Sequence, residues 1–501
     1  MAAPTSPYGA ESPRAAYAYP ERANVKMSEA LRVLDEGVHP LVIHSSQILA
    51  AALLVTAAVN HFPKITVADL AEIWRSLQID VAYAFALTAV AVLLLGYYAL
   101  RHPRPVYLVD FATWQLRDDK DDGSLSATSD FFRSTITDCG NFCDESVDFQ
   151  MKLFERNQIS ERCYFPPGIR AYRKGERDFD FSMAAARKEF ETVVFTTVDE
   201  LLAKTGVKPR DIDILVVNCS LFNPTPSLAA IVINHYQMKD SVQSYSLGGM
   251  GCSAGLISIH LAKDLLQVYP RKRALVISTE NITQNFYQGN EKSMLISNTL
   301  FRMGGAAVLL SGRHADRRVA KYQLLHTVRT HKGADPDAYR CVFQEEDKAG
   351  HVGVRLSKDV MECAGAAMKT NISVLAPLIL PVSEQVRFLA NYVARKWLRM
   401  KGVKGYVPDF TTAVQHFCIH TGGRAVLDAL QANLSLSDYY LEPSRYSLWR
   451  WGNVSSASVW YELDWLEKSG RIRRGDKVWQ IGFGSGFKCN SAVWRACRAM
   501  P

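Results

Sequence analysis

One cysteine of the chain stands in a glycine-rich turn. Cys252 lies in LGGMGCSAGLISIHLAKDLL, with glycines at 248, 249, 251 and 255 and a helical pattern directly after it. Glycine permits a tight turn and lets a substrate approach the backbone closely. The positive end of the following helix is expected to favour thiolate, the nucleophilic form. A small buried hydrophobe is the ordinary fate of a lone cysteine, but the other nine lack this setting. His420 closes an apolar run in HFCIHTGGRAVLDAL, just before Gly422 and Gly423. A strand end there can project an imidazole into a cleft. His416, four residues earlier, would suggest zinc only with a third ligand, and no candidate is near. Asn453, in WRWGNVSSASVWYEL, offers an amide, or simply a cap for the next helix. Gly482, Gly484, Ser485 and Gly486 follow an apolar strand in QIGFGSGFKCNSAVW. No long βαβ unit follows them, so nicotinamide binding is not expected. A thiol, a ring base, an amide and a backbone loop suit acyl transfer through a thioester. Carbanion and oxyanion charge would be held by neutral donors, without metal or cofactor and with no catalytic carboxylate in evidence.

These residues need a scaffold, and apolar periodicity supplies one. Ile212–Asn218, Ala274–Thr279, Ala306–Leu310 and Val478–Ile481 read as buried strands. Phe181–Lys204, Leu256–Leu266 and Val459–Leu466 read as helices, and Val207–Asp211 as a turn. Alternation of the two predicts an α/β core with covered sheets. An internal repeat is visible. Cys252 comes 33 residues after Cys219, which ends one apolar run; Asn453 comes 33 residues after His420, which ends another. Helical patterns follow both, GCSAGLISIHL against GNVSSASVWYEL. A duplicated unit would place Cys252 and Asn453 at equivalent helix N-termini.

The 501 residues allow two to four core-forming units, and 48% hydrophobic with 22% charged residues excludes global disorder. A net charge of +8 suits a membrane surface or an anionic small molecule. No arginine-rich run or zinc-finger spacing points to nucleic acid. Ten unpatterned cysteines read as reduced thiols facing the cytosol. The order of segments divides the chain into four. Residues 1–37 are expected to be disordered, apart from a short helix at Met27–Leu34. Residues 38–105 hold two apolar runs, Leu41–Val59 and Val81–Leu100, read as transmembrane helices with a short lumenal loop. Basic residues at their outer ends (Arg22, Lys26 and Arg32; Arg101 and Arg104) place both ends in the cytosol. Residues 106–330 and 331–501 form two globular halves, with a loop at Asp118–Asp122. The sequons at Asn218, Asn281, Asn371, Asn433 and Asn453 are then expected to be unglycosylated.

With these stretches in hand, Tyr107–Trp494 resembles the plant and algal 3-ketoacyl-CoA synthases, the condensing enzymes of very-long-chain fatty acid elongation. YLVDFA, NCSLFNPTPSLAAIVINHY, GGMGCSAG, STENITQN, RTHKGAD, HFCIHTGGRAV, GNVSSASVWYEL and GFGSGFKCNSAVW carry the resemblance in order. It implies a duplicated thiolase-type fold behind an N-terminal transmembrane hairpin, a homodimer, and residence in the endoplasmic reticulum membrane. It implies a Cys252, His420 and Asn453 triad, acyl-CoA and malonyl-CoA as substrates, and no cofactor or metal. The backbone N–H of Cys252 and one from the Gly482–Gly486 loop would hold the oxyanion. Partners would be membrane lipid and the other elongase enzymes: ketoacyl-CoA reductase, hydroxyacyl-CoA dehydratase and enoyl-CoA reductase. Trp449, Ser297, Thr299 and Val454 depart from the family's common residues, outside the triad. A soluble type III polyketide synthase and a catalytically silent membrane scaffold are the alternatives. The apolar runs argue against the first and the intact triad against the second.

Overall fold

The computed structural model describes residues 68, 81–101, 103–116, 125–170 and 179–500. They fall in two units. One holds residues 105–380 and 387–501; the other includes the segments up to Arg104 and Pro381–Val386.

The larger unit is built on a nine-stranded sheet. Its strands are β1 (Val106–Thr113), β2 (Ile214–Asn218), β3 (Gln243–Leu247), β4 (Arg273–Thr279), β5 (Gly305–Ser311), β6 (Tyr322–His331), β9 (His416–Ile419), β10 (Lys477–Gly484) and β11 (Lys488–Ala496). A separate hairpin pairs β7 (Val342–Glu346) with β8 (Val352–Leu356). The order across the sheet is β3-β2-β4-β5-β1-β6-β11-β10-β9. It reads alike from both ends. Parallel β2 and β4 are matched by parallel β9 and β10. Antiparallel β4–β5 and β5–β1 are matched by β10–β11 and β11–β6. The halves meet where β1 pairs antiparallel with β6. The 33-residue repeat is thus a duplicated strand order, in which only β3 lacks a counterpart.

Alternation along the strands makes the layers. Ile214 and Val216 of β2, Ala274 and Val276 of β4, Val478 of β10, and Ala492 and Trp494 of β11 all enter one central cluster. The helices that follow the two equivalent turns enter it too, through Leu256, Ile259 and Leu266 and through Trp460, Leu463 and Leu466. Leu215, Val217, Leu275 and Ile277 point the other way, onto an outer helix carrying Phe190, Val194 and Leu201. Trp479, Ile481, Phe483 and Val493 do the same for the second half. The strands are therefore buried on both faces, which explains their near-continuous apolar runs.

The helices are α1 (Val81–Arg101), α2 (Ser129–Asp138), α3 (Asp144–Asn157), α4 (Met183–Thr205), α5 (Leu228–Tyr236), α6 (Ala254–Val268), α7 (Lys292–Leu300), α8 (Val360–Ile379), α9 (Val382–Lys396), α10 (Arg424–Leu434), α11 (Asp438–Trp451) and α12 (Ser458–Lys468), besides single-turn segments. Local chemistry sets their ends. In α4 the Ser182 hydroxyl accepts from the Ala185 N–H at 3.1 Å, and Gly206 ends the helix in the left-handed region. The second apolar run of the sequence coincides with α1. Its described side chains cover residues 84–97, and most are exposed. Among the described residues no helix is long and apolar enough to cross a membrane. Met27–Leu34, Leu41–Val59 and Asp118–Asp122 lie outside the described residues.

Candidate active site

Cys252 sits in a 3-10 turn, Gly251–Ser253, between β3 and α6. This turn lies against the β10–β11 hairpin at a distance only glycine allows. Gly251 has φ +67°, and a Cβ there would fall 2.5 Å from the Ser485 nitrogen. A Cβ on Gly484 would fall 2.8 Å from the Ser253 nitrogen and 2.9 Å from the Met250 oxygen. Gly482 and Gly484 are therefore strand residues of β10, and Ser485 and Gly486 turn the chain into β11. The loop that superficially looked like a dinucleotide motif is a hairpin, packed on the cysteine turn.

Burial pushes the half-buried Cys252 thiol up to about 12. The negative charge of Glu280 adds to this, against the Ser455 hydroxyl and a backbone N–H. The expectation that the helix end would favour thiolate is not met. The α-helix begins two residues later, at Ala254. Desolvation of the charged form outweighs its dipole. Iodoacetamide labelling of the Cys252 peptide is expected to speed up about tenfold per pH unit from 7 to 9. A plateau already reached at pH 7, followed by mass spectrometry, would show a resting thiolate instead.

His420 follows β9, and its backbone N–H donates to the Ile481 carbonyl at 2.9 Å. This ties it to β10. Burial lowers its imidazole to about 4, so the ring is neutral near pH 7. Its Nδ1 is buried without a hydrogen-bond partner among the described residues. Thr421 links this strand end to the next residue of interest, its hydroxyl donating to the Gly452 carbonyl at 3.3 Å. Asn453 is buried between Leu300 and Arg302. Its N–H donates to the Leu300 carbonyl and its carbonyl accepts from the Arg302 N–H, both at 3.0 Å. Its Oδ1 accepts from the Ser455 N–H at 2.9 Å. This is a local turn bond rather than the expected helix cap, because Val454 and Ala457 stand at the N-cap positions of the two helical segments that follow, and it uses only the oxygen. The amide nitrogen keeps two donors.

Sequence reasoning missed Glu280. This buried carboxylate accepts from the Ser220, Leu221 and Asn281 N–H groups, the Cys219 thiol and the Ser455 hydroxyl. Burial raises its pKa against those bonds. Ser455 has φ +52°, a left-handed conformation unusual for a side-chain-bearing residue. Glu280 grips the hydroxyl of the residue whose N–H orients the Asn453 amide. The one signal available was an acidic residue directly after the apolar strand Arg273–Thr279. Arg302 was missed as well. It is fully buried, 4.4 Å from the Phe165 ring centroid, and donates to the Asn298 and Phe301 carbonyls.

Glu280 lines a small pocket of about 10 Å³. Phe165, Leu221, Ile282, Phe286, Phe301 and Val354 make most of it apolar, and Ser297 lines it. Thr299 is buried nearby in sequence on α7, while Trp449 lines a separate cleft with Arg424 and Arg445. Val454 packs in the central cluster. His416 has a structural role, its Nε2 lying 3.1 Å from the buried Asp476 carboxylate. Among the described residues no group of three potential ligands could hold a metal. Four of the five sequon asparagines, at 218, 281, 371 and 453, are buried. The fifth, Asn433, is exposed.

Residues 98–397 match the family described as FAE1/Type III polyketide synthase-like protein. Residues 411–496 match 3-oxoacyl-[acyl-carrier-protein] synthase III C terminal. The chain is 50% identical over 477 residues to 3-ketoacyl-CoA synthase 11 of Arabidopsis thaliana, covering 95% of this chain and 91% of that protein. The chain belongs to the 3-ketoacyl-CoA synthase family. Another family member, probable 3-ketoacyl-CoA synthase 20 of Oryza sativa subsp. japonica, is 52% identical over 421 residues, 84% of this chain and 78% of its own. Members are condensing acyltransferases of the thiolase-like superfamily. The fold agrees with solved structures. The C-terminal type III polyketide synthase domain of Steely1 from Dictyostelium aligns with a TM-score of 0.59 at 20% identity, over 78% of this 3-ketoacyl-CoA synthase family chain and 99% of the domain. Tetrahydroxynaphthalene synthase of Streptomyces coelicolor aligns at 0.57 and 20% identity, over 78% and 100%.

Proposed function

We propose that this family member condenses a long-chain acyl-CoA with malonyl-CoA, giving a 3-oxoacyl-CoA two carbons longer, CoA and carbon dioxide. One observation carries the reading most. A neutral buried imidazole and an amide nitrogen with spare donors are tied to the cysteine turn through Thr421, Gly452 and Ser455. That set suits a reaction whose charge develops on oxygen and must be met by neutral hydrogen bonds.

In the first half-reaction the Cys252 sulfur attacks the acyl thioester, its proton leaves, and CoA departs. With the resting thiol neutral, sulfur must lose its proton as it attacks. The His420 ring can pass that proton to the departing CoA sulfur, so CoA leaves as the thiol and the ring is neutral again. In the second half-reaction malonyl-CoA loses carbon dioxide. His420 and Asn453 donate to its thioester oxygen as the enolate forms. The enolate carbon attacks the Cys252 thioester, the sulfur leaves, and the new carbon–carbon bond joins the chains. The Cys252 N–H and one from the Gly482–Gly486 turn receive the oxyanion. Decarboxylation drives the step, so no metal or cofactor is required.

The N-terminal hairpin belongs to the same proposal. A helix such as α1, with Phe85, Leu87, Leu93 and Leu95 exposed, needs an apolar surround. We place it with the Leu41–Val59 run as two spans of the endoplasmic reticulum membrane, with the catalytic unit cytosolic. A homodimer working beside ketoacyl-CoA reductase, hydroxyacyl-CoA dehydratase and enoyl-CoA reductase completes the reading.

Membranes bearing the expressed chain, supplied with radiolabelled malonyl-CoA and a series of saturated acyl-CoAs, are expected to yield 3-oxoacyl thioesters extended once. Repeated extension of aromatic CoA starters would favour polyketide synthesis. No incorporation with any starter would leave a silent scaffold.

A further inference from the structure

The C-terminal part of α9 and the turn after it expose what a soluble surface normally hides. Phe388, Leu389, Tyr392, Trp397, Leu398 and Met400 are all exposed, Trp397 at 77% and Leu398 at 67%. The rings of Phe388 and Tyr392 stack at 6.5 Å on this outward face. The segment is ordered. The N–H groups of Trp397 and Leu398 donate to the Val393 carbonyl, and that of Met400 to the Ala394 carbonyl. Arg399 takes φ +49° to close the turn. Asn391 then clamps the returning strand of chain, donating to the Lys404 carbonyl at 3.0 Å and accepting from the Tyr406 N–H at 3.1 Å. Its side chains are therefore presented outward by a fixed backbone.

Between Glu384 and Asp409 the charge along this segment has a single sign. Residues 385–408 contain Arg387, Arg395, Lys396, Arg399, Lys401 and Lys404 and no acidic residue. An apolar face with tryptophan, set among lysines and arginines, is the pattern of an element lying in the plane of a bilayer interface. Its aromatic rings sit at headgroup level and its basic groups meet anionic lipid. A second copy of the chain is a poorer occupant, because a two-fold contact would set these like charges against each other.

We propose that the C-terminal part of α9 and its following turn rest on a lipid bilayer bearing anionic headgroups, as a second membrane contact made by the catalytic unit itself. The proposal rests on the reading that the enzyme works at a membrane, but not on the N-terminal spans. It gives the unit a fixed attitude to the lipid surface, which a tether alone would not.

Trp397 is the one exposed tryptophan among the described residues, so it can serve as the probe. The full chain, carrying Trp74→Phe to remove the remaining tryptophan outside them, is mixed with or reconstituted into vesicles of brominated phosphatidylcholine with phosphatidylserine. Quenching of fluorescence is expected, to be lost in Trp397→Phe, and to weaken as phosphatidylserine is omitted or salt is raised. Each basic residue reversed to glutamate should weaken the contact by at least about fivefold. Flotation of the same vesicles reports the N-terminal spans separately. A chain that floats while Trp397 stays unquenched overturns this contact and leaves the spans standing. A chain that does not float from neutral vesicles, yet shows Trp397 quenched by anionic ones, overturns the spans and sustains the contact. A detergent-solubilised dimer that dissociates on Trp397→Glu, with no quenching in vesicles, shows a second copy on the patch and also overturns it.

Discussion

Cys252→Ala is expected to fold and remain where the native chain resides, but to form no acyl-enzyme and no 3-oxoacyl product. Alanine keeps the Cβ and removes only the sulfur, so the turn between β3 and α6 loses little packing. What it loses is the one thiol that sits in a glycine-walled turn, within reach of the Ser455 hydroxyl. Among the other cysteines, Cys219 is the nearest rival, because its thiol donates to Glu280. That bond and burial hold Cys219 well above the usual thiol range, as burial does Cys418. Burial raises the Cys252 thiol as well, so its glycine-walled turn, not its acidity, sets it apart. Incubation with radiolabelled acyl-CoA, followed by acid quench and peptide mass spectrometry, gives the readout. A labelled Cys252→Ala chain would move the nucleophile to another residue and break the proposed site.

Asn453→Ala separates the two half-reactions. The enolate oxygen gains negative charge only during decarboxylation and condensation, so a donor aimed there stabilises a transition state that acyl loading never reaches. Losing one such donor typically costs about 100–1000-fold in rate, or roughly 3–4 kcal/mol. The variant should still accept a labelled acyl group on Cys252, yet release little carbon dioxide from malonyl-CoA. His420 makes a less clean test, because the thiol it would help ionise is neutral at rest. The turn bond must also be considered, since alanine removes the Oδ1 that accepts from the Ser455 N–H. Asn453→Asp retains that acceptor but loses the amide donors. Decarboxylation lost in both variants assigns the effect to the amide nitrogen. Wild-type carbon dioxide release from Asn453→Ala would leave the residue only its structural turn bond.

The relation between the site and its chain explains why some of it could be read early and some could not. The local settings of Cys252, His420 and Asn453 were legible because each stands at a switch from apolar strand pattern or glycine turn to helix, and such switches are local. The equal 33-residue spacing was legible for the same reason, and the mirrored strand order β2-β4-β5-β1 and β9-β10-β11-β6 is its three-dimensional form. Glu280 was not legible. An acid after a strand looks like any surface carboxylate until Ser220, Leu221, Asn281 and Ser455 converge on it, and Ser455 is 175 residues away.

Protonation followed the same divide. Residue types and periodicity alone determined the α/β class, the buried strands, the glycine-walled turn of Cys252 and the family resemblance, because these depend on patterns a few residues long. Only the tertiary structure decided that the Cys252 thiol and the His420 ring are both neutral at rest. A pKa depends on how much water the fold removes and which charges it brings near. It likewise decided that Gly484 belongs to a hairpin pressed on the Cys252 turn, and that four sequon asparagines are buried. Burial and contact arise from segments hundreds of residues apart, and no local spacing encodes them.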